Sequence, residues 1–311
     1  MDNPTPAEAD TPAKRVVSVS LGSSTRDTHI ETELLGQRIL IERRGTNGDR
    51  AAAERLIAAL DAEVDAIGLG GTDLFIEAAG RRYYLRDSRV LAAHAKRAPV
   101  VCGAGLKNTL ERMVVEALEP RLGWRGKKVF LVSGVDRFGM AEALGAAGAE
   151  VRYGDLILLL GLPVELKSLA ALRRVARLLA PVVVQLPISL IYPTGQQQEA
   201  TRQGSWRSKY FAWAEVIAGD FHLIRRYAPE DLSGKIILTN TTTRDDVEML
   251  RRRGVKTLIT TTPRYEGRSL ATNLLEAAFV AVSGKHPLSE ADYRELITRS
   301  GIQPDVLELN P

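Results

Sequence analysis

The sequence has one cysteine, Cys102, four histidines and few aromatic side chains in 311 residues. A lone cysteine excludes an internal disulfide and a cysteine-based metal cluster, and a buried small hydrophobe is its expected role. His29, His94, His222 and His286 are scattered without the paired spacing of a metal site, and no serine sits in a nucleophile elbow, so no metal centre and no hydrolytic triad are expected. The aromatics are not interleaved with basic residues, which argues against a stacking platform for nucleic acid. Arg251-Arg252-Arg253 follows Asp245, Asp246 and Glu248 in a helical pattern and reads as a solvated helix face. No apolar run reaches the roughly 20 residues of a membrane span. The most apolar stretch, Leu156–Val164, holds Gly161 and Pro163 and is expected in the core. The first dozen residues, MDNPTPAEADTP, are acidic and proline-rich with no apolar h-region, so a disordered tail and a cytoplasmic location are expected.

What the chain does have is strand and helix in alternation. Val16–Ser20 reads as a strand, Thr28–Arg44 as a hairpin turning near Gly36, and Arg50–Leu60 as a helix. Ala66-Ile67 follows as a strand, then a second hairpin turning through AAGRR, a helix from Ser88 to Lys96, the strand Val100-Val101, the glycine loop GAGLKNT and a long helix from about Thr109 to Leu122. A charged break, LGWRGKK, places a boundary near residue 124. Further strands are expected at Val129–Val132, Val182–Gln185, Ala214–Ile217, Ile236–Leu238 and Thr257–Ile259. Ser289–Thr298 reads as a last helix, with Ser289 as N-cap and Asp292 three residues on. The reading is an α/β protein of two domains: an N-terminal α/β domain over 14–124 and a Rossmann-like, doubly wound, mostly parallel sheet over 125–288. The disordered tail covers 1–13, and a C-terminal helix and tail cover 289–311.

The stretch SGVDRFGMAEALGAAGAEVRYGD, residues 133–155, follows the apolar run Val129–Val132. A dinucleotide turn wants a glycine where the strand turns, one where the backbone meets the pyrophosphate, one where helix packs on strand, and an acid about 20 residues on for the ribose. Gly134 and Gly139 fill the first and third places, and Asp155 follows 21 residues after Gly134. Asp136 occupies the middle place. Two readings stand: Asp136 caps the helix and excludes a nucleotide, or it points away and lets Arg137 meet the phosphate. With Asp155 on the ribose, NAD is preferred to NADP, because a carboxylate repels a 2′-phosphate.

This layout, with a smaller α/β domain, a long helix and then VFLVSGVDRFG opening a nucleotide domain, resembles the quinate/shikimate 5-dehydrogenase superfamily. The resemblance implies an NAD- or NADP-dependent oxidoreductase acting on a hydroxylated ring or polyol acid. It sets Thr261 and Thr262 of TLITTTPRYEG beside the nicotinamide, and Lys107 of GAGLKNTLER in the place of the superfamily's lysine. The chain departs from the pattern where the Asn-x-Thr-x-Pro-x-Lys motif is absent and the middle glycine is Asp136.

Apart from any family, loops at the carboxyl ends of the strands offer small residues, hydroxyls and a cation, which suits a hydroxylated or anionic small molecule between the domains. Ser23, Ser24, Thr72 and Asn108 are candidate substrate ligands. Lys107 is the candidate catalytic group, its pKa lowered by desolvation and its side chain oriented by Asp73; the alternative is a surface lysine. Residues 194–213 read as a mobile lid or as a solvated loop. Two functions are carried forward: the oxidoreductase, and a non-catalytic or regulatory small-molecule binder on the same fold. Neither calls for nucleic acid or membrane, and homo-oligomerisation stays open.

Overall fold

The computed structural model describes residues 12–188, 206–265 and 267–311, and shows an α/β protein built on two separate mixed sheets. The first half runs β1 (Lys14–Ser20), β2 (Thr28–Leu34), β3 (Gln37–Gly45), α1 (Arg50–Leu60), β4 (Ala66–Gly70), β5 (Phe75–Ala78), β6 (Arg81–Tyr84), α2 (Arg86–Ala92) and β7 (Val100–Val101). After α3 (Ala104–Leu122) come β8 (Lys128–Leu131), α4 (Phe138–Ala146), β9 (Glu150–Tyr153), α5 (Leu169–Val183), α6 (Ser208–Trp213), β10 (Val216–Ala218), α7 (Phe221–Tyr227), β11 (Ile236–Thr239), α8 (Arg244–Arg252) and β12 (Thr257–Thr260). The chain ends through β13 (Arg264–Tyr265), β14 (Arg268–Ser269), α9 (Thr272–Ser283), α10 (Glu290–Ser300) and β15 (Asp305–Glu308).

The first sheet has the order β2-β3-β1-β4-β7, parallel except for β2. The second has the order β15-β12-β11-β10-β8-β9, parallel except for β15. In the second sheet the chain steps outward from β8 to β9 and then returns to β10 on the other side. The carboxyl ends of β8 and β10 therefore flank a topological switch point, the place where open α/β sheets hold ligands.

Alternation along each strand assigns the faces. Phe130 and Val132 pack with Ile217, Ile237, Leu258 and the helices α6, α7 and α8, while Val129 and Leu131 face α3, α4, α5 and α9. In the first sheet Val17, Val19 and Leu21 pack on α1 and α2. The opposite face carries Val16 and joins the core that runs across to the second sheet, so a single apolar interior connects the two.

Strand β8, the first of the second sheet, begins at Lys128, and the C-terminal course runs between the two sheets. Helix α9 leaves the second sheet and lies on β1 and β4 of the first. It gets close because Gly68 has no side chain: a Cβ there would stand 2.9 Å from the Asn273 carbonyl. The tail then returns, and β15 pairs with β12.

Three local expectations are corrected. Val182–Gln185 is the end of α5 and the turn after it, because Leu172, Ala176 and Ala180 recur at helical spacing on the buried side. Leu156–Leu158 are core but Leu159, Leu160, Leu162 and Val164 are exposed. The long helix starts at Ala104, five residues early, with Gly103 in the left-handed region at φ 87°. The lid segment falls largely outside the described residues; its end, from Ser208, is α6, with Tyr210 and Phe211 buried. No helix among the described residues is long and apolar enough to cross a membrane.

Candidate functional site

Between the sheets lies a cavity of about 300 Å³. On β1 the inner face reads Val16, Ser18, Ser20: two hydroxyls stand where the outer face has valines. Ser20 Oγ accepts from the Gly22 amide at 3.1 Å and from Arg43 Nη2 at 2.9 Å. Ser18 Oγ accepts from Asn273 Nδ2 of α9 at 2.7 Å. Gly70 keeps this floor open, since a Cβ there would lie 2.9 Å from the Ser20 side chain.

Lys107 rises from the first turn of α3 into the cavity wall. A cation at a helix N-terminus is unfavourable, and here two acids offset it: Asp136 Oδ1 at 2.7 Å and Asp73 Oδ1 at 3.4 Å. The first turn is also capped from outside, as the Gly103 amide donates to the Glu276 carboxylate of α9. Burial alone would lower the Lys107 pKa, as the sequence suggests. Asp136 and Asp73 reverse the sign and hold the ammonium above its ordinary value. Burial pushes the Asp136 carboxyl up, and Lys107 and Arg137 outweigh this and keep it below the usual carboxylate range. Lys107 is thus a persistent ammonium and hydrogen-bond donor at neutral pH, with its proton held rather than loosened.

Arg137 continues the alternation of charge. It is buried against Glu111 of α3, with Asp220 Oδ2 at 3.5 Å and Asp136 Oδ2 at 4.0 Å. Burial raises the Glu111 carboxyl to about 7, opposed by Arg137 and Lys107. The ladder Asp73, Lys107, Asp136, Arg137, Asp220 runs from the first sheet's loops through α3 to the ends of β8 and β10. Each charge is compensated by its neighbours, the condition under which buried charges persist.

The other predicted cofactor ligands are engaged elsewhere. The Asp155 carboxylate accepts from the Gly134 amide at 2.9 Å and the Val135 amide at 2.8 Å, tying the β8–α4 turn to the end of β9. Burial pushes this carboxyl up to about 6, and those amides oppose the shift. Gly139 permits helix–helix rather than helix–strand contact: a Cβ there would lie 2.2 Å from the Asn108 carbonyl of α3. Thr261 and Thr262 are sealed from solvent, and Thr262 Oγ1 donates to the Leu270 carbonyl. A dinucleotide laid on this turn in the usual way needs free turn amides and a free ribose acid. Gly134, Val135, Asp136, Arg137 and Asp155 are all committed to one another or to α3, and the residues do not fit that group.

Of the substrate candidates, Thr72 is on the cavity wall with its hydroxyl 2.9 Å from Ser88 Oγ. Ser23 caps the turn that begins at Ser24, which is exposed, and Asn108 lies against α4 and Arg112. Gly22 and Thr262 do not line the cavity, whereas Gly70 and Lys107 do. Ser18, Ser20 and Arg26, from the stretch SVSLGSSTRD whose hydroxyls suit a polyol, are on the wall, and sequence reading missed Arg43, Asp220, His222, Asn240 and Asn273, also on it. The alternation of β1 carried a signal for the two serines; Asn273 arrives only through the return of α9. Cys102 also lines the wall, its thiol pushed up to about 12 by burial and by Asp73 and Glu276. Past Asp155 the cavity opens into an apolar groove of Leu156, Leu159, Val175, Leu179 and Val183.

Fold and site define a two-sheet α/β protein with a ligand-sized, charge-lined cleft between its sheets. The chain belongs to the family described as "Domain of unknown function (DUF8754)", whose model matches residues 105–309; a second model, "Domain of unknown function (DUF8753)", matches residues 15–102. No curated protein matches. Similar solved structures include the hetero-hexameric glutamate dehydrogenase of Thermus thermophilus, with 13% identity, TM-score 0.45, and coverage of 93% of this chain and 74% of that one. An ABC transporter solute-binding protein from Burkholderia multivorans has 11% identity and TM-score 0.38, covering 96% of this chain and 100% of that one. The L-tryptophan dehydrogenase of Nostoc punctiforme has 11% identity and TM-score 0.35, with coverage of 93% and 81%.

Proposed function

We propose that the protein binds a small hydroxylated acid between its two sheets, with Ser18, Ser20, Asp73 and Asn273 meeting hydroxyls and Lys107 donating from the centre of the wall. The observation that carries this reading is the buried Lys107 ammonium, held between Asp73 and Asp136 in the wall of a cavity floored by two serines. A compact cavity with a few convergent polar groups is the form that small-molecule sites take. Its binding groups come from β1 and the loop after β4, from α3 and from α9, so a ligand touches elements that are far apart along the chain. Calorimetric titration with quinate, shikimate, simple aldonic acids and neutral sugars tests the reading. Saturable binding of a hydroxylated acid, weakened tenfold or more by Ser20→Val, is expected; no binding of any of these acids would refute it.

A second reading, an NAD- or NADP-dependent dehydrogenase of the quinate/shikimate kind, is favoured by the apolar groove beside Asp155 at the switch point of the second sheet. It requires Asp155 to release the turn amides. Titration with NADH and NADPH separates the two: the first reading expects no saturable binding of either, and reduction of NAD in the presence of a bound acid would establish the second.

A further inference from the structure

Arg26 stands in the cavity wall at the end of the short turn Ser24–Arg26, 9% exposed. Among the described residues its Nη2 has no hydrogen-bond partner. The acid nearest to that atom, Asp246 Oδ2, lies at 3.6 Å and already accepts from the Thr243 amide and hydroxyl, while Asp246 Oδ1 takes Arg225 at 2.9 Å. A buried guanidinium donor left unmade is an exception that native interiors rarely keep without a use.

The surroundings are crowded with like charge. Arg43 shares the wall, and Arg268 donates to the Arg26 carbonyl at 2.6 Å. Burial, with Arg26 and Arg268 beside it, pushes the Arg43 guanidinium down to about 10. The facing acids are Asp27, bound to Arg43 at 2.8 Å; Asp246, bound to Arg225; and Asp220, which Arg137 also claims. Arg26, Arg43, Arg225 and Arg268 thus meet three carboxylates, of which Asp220 is shared with Arg137. Near Arg26 on the wall is His222, whose buried Nδ1 has no partner. Burial and Arg26 hold the imidazole down to about 4, so it is neutral and able to donate from one nitrogen.

We propose that Arg26 Nη2 and His222, with Arg43 beside them, form an oxyanion subsite that takes the carboxylate or phosphate of the ligand. The planar guanidinium suits either group, and the anion relieves the crowding of the arginines. The proposal rests on the ligand-binding reading above and locates the ligand's acidic group at the end of the cavity by α7 and α8.

The test uses the full chain with inorganic phosphate and, separately, acetate, followed by calorimetry and by NMR titration of the His222 ring. Saturable binding is expected, and the bound anion should raise the His222 midpoint toward its ordinary value, because a neighbouring negative charge favours imidazolium. Arg26→Lys keeps a charge against Asp246 but not the planar fork, and should weaken binding tenfold or more; Arg43→Gln is a second variant should the first fail to fold. Phosphate without acetate supports the subsite for a phosphorylated ligand, and both together support it for a carboxylate. An unmoved His222 with no saturable heat, or unchanged affinity in both variants, overturns it. A protein that takes phosphate but none of the hydroxylated acids keeps this subsite and loses the ligand class; one that takes the acids with unchanged affinity in both variants does the reverse.

Discussion

Replacing Asp155 by alanine separates two roles for its carboxylate, anchor of the β8–α4 turn or acceptor for a cofactor's ribose. In the folded chain it takes the Gly134 and Val135 amides and is 4% exposed. Two amides left without partners in a dry turn cost about 1 to 3 kcal/mol each, about 2 to 6 kcal/mol together. Removing the acid also removes a penalty. Its carboxyl moves from 3.8 to about 6 on folding, which places about 3 kcal/mol against the ionised form at neutral pH. The net change at pH 8 is therefore small, from a gain of about 1 to a loss of about 3 kcal/mol. The pH dependence is sharper. A carboxyl whose folded pKa is raised stabilises fully below its unfolded pKa, and that contribution is lost as pH rises through the folded value, here between about 4 and 6. At about pH 5 the wild type regains about 1.4 kcal/mol that alanine cannot. Urea unfolding of both proteins, followed by tryptophan fluorescence, should show the variant's deficit growing by about that amount between pH 8 and pH 5. A deficit independent of pH, or equal stability with weakened NADH binding, would refute the turn-anchor role.

Lys107→Met should lower stability by about 3 to 5 kcal/mol, because Asp73 and Asp136 then face each other without the ammonium, and adding Asp136→Asn should restore part of it; chemical denaturation measures both. Gly139→Ala should destabilise by at least about 1 to 3 kcal/mol, read as a fall in thermal midpoint, since its methyl would meet the Asn108 carbonyl and neither helix backbone can give way cheaply.

The parts of the fold that depend on near neighbours were legible. The β2–β3 hairpin turns at Leu35 and Gly36, both in the left-handed region at φ 55° and 81°, as the glycine implied. The last helix carries its capping box at Ser289 and Asp292. Strands at β8, β10, β11 and β12 fall where short β-branched runs are bounded by polar loops. The site was harder, because its meaning lies in partners distant along the chain. The spacing from Gly134 to Asp155 looks the same whether the acid faces a ribose or the turn's own amides, and only the bend after Tyr153 decides. Lys107 lines the cavity, yet the sign of its pKa depends on Asp136, 29 residues on, whose sequence position suits a helix cap or a side chain pointed away from a phosphate. Arg137 on a phosphate is one of two readings of the turn from sequence, and its partner Glu111, on the facing helix, cannot be placed from sequence.

The return of α9 explains why the cleft belongs to neither half. The family matches divide the chain at residues 102 and 105, but α9, within the match over residues 105–309, covers the inner face of the first sheet and supplies Asn273 to Ser18. The same helix supplies Glu276 to the N-terminus of α3, whose first turn carries Lys107. Lys107 in turn holds Asp136 at the start of α4, and Arg137, the N-cap of that helix, reaches back to Glu111 on α3. The links run from β1 through α9 and α3 to α4, and the polar groups that they bury must pair with one another or be lost at a cost. The charge ladder is therefore both the lining of the cavity and the means by which the sheets keep their relative position. A ligand that joins it acts on the whole molecule at once.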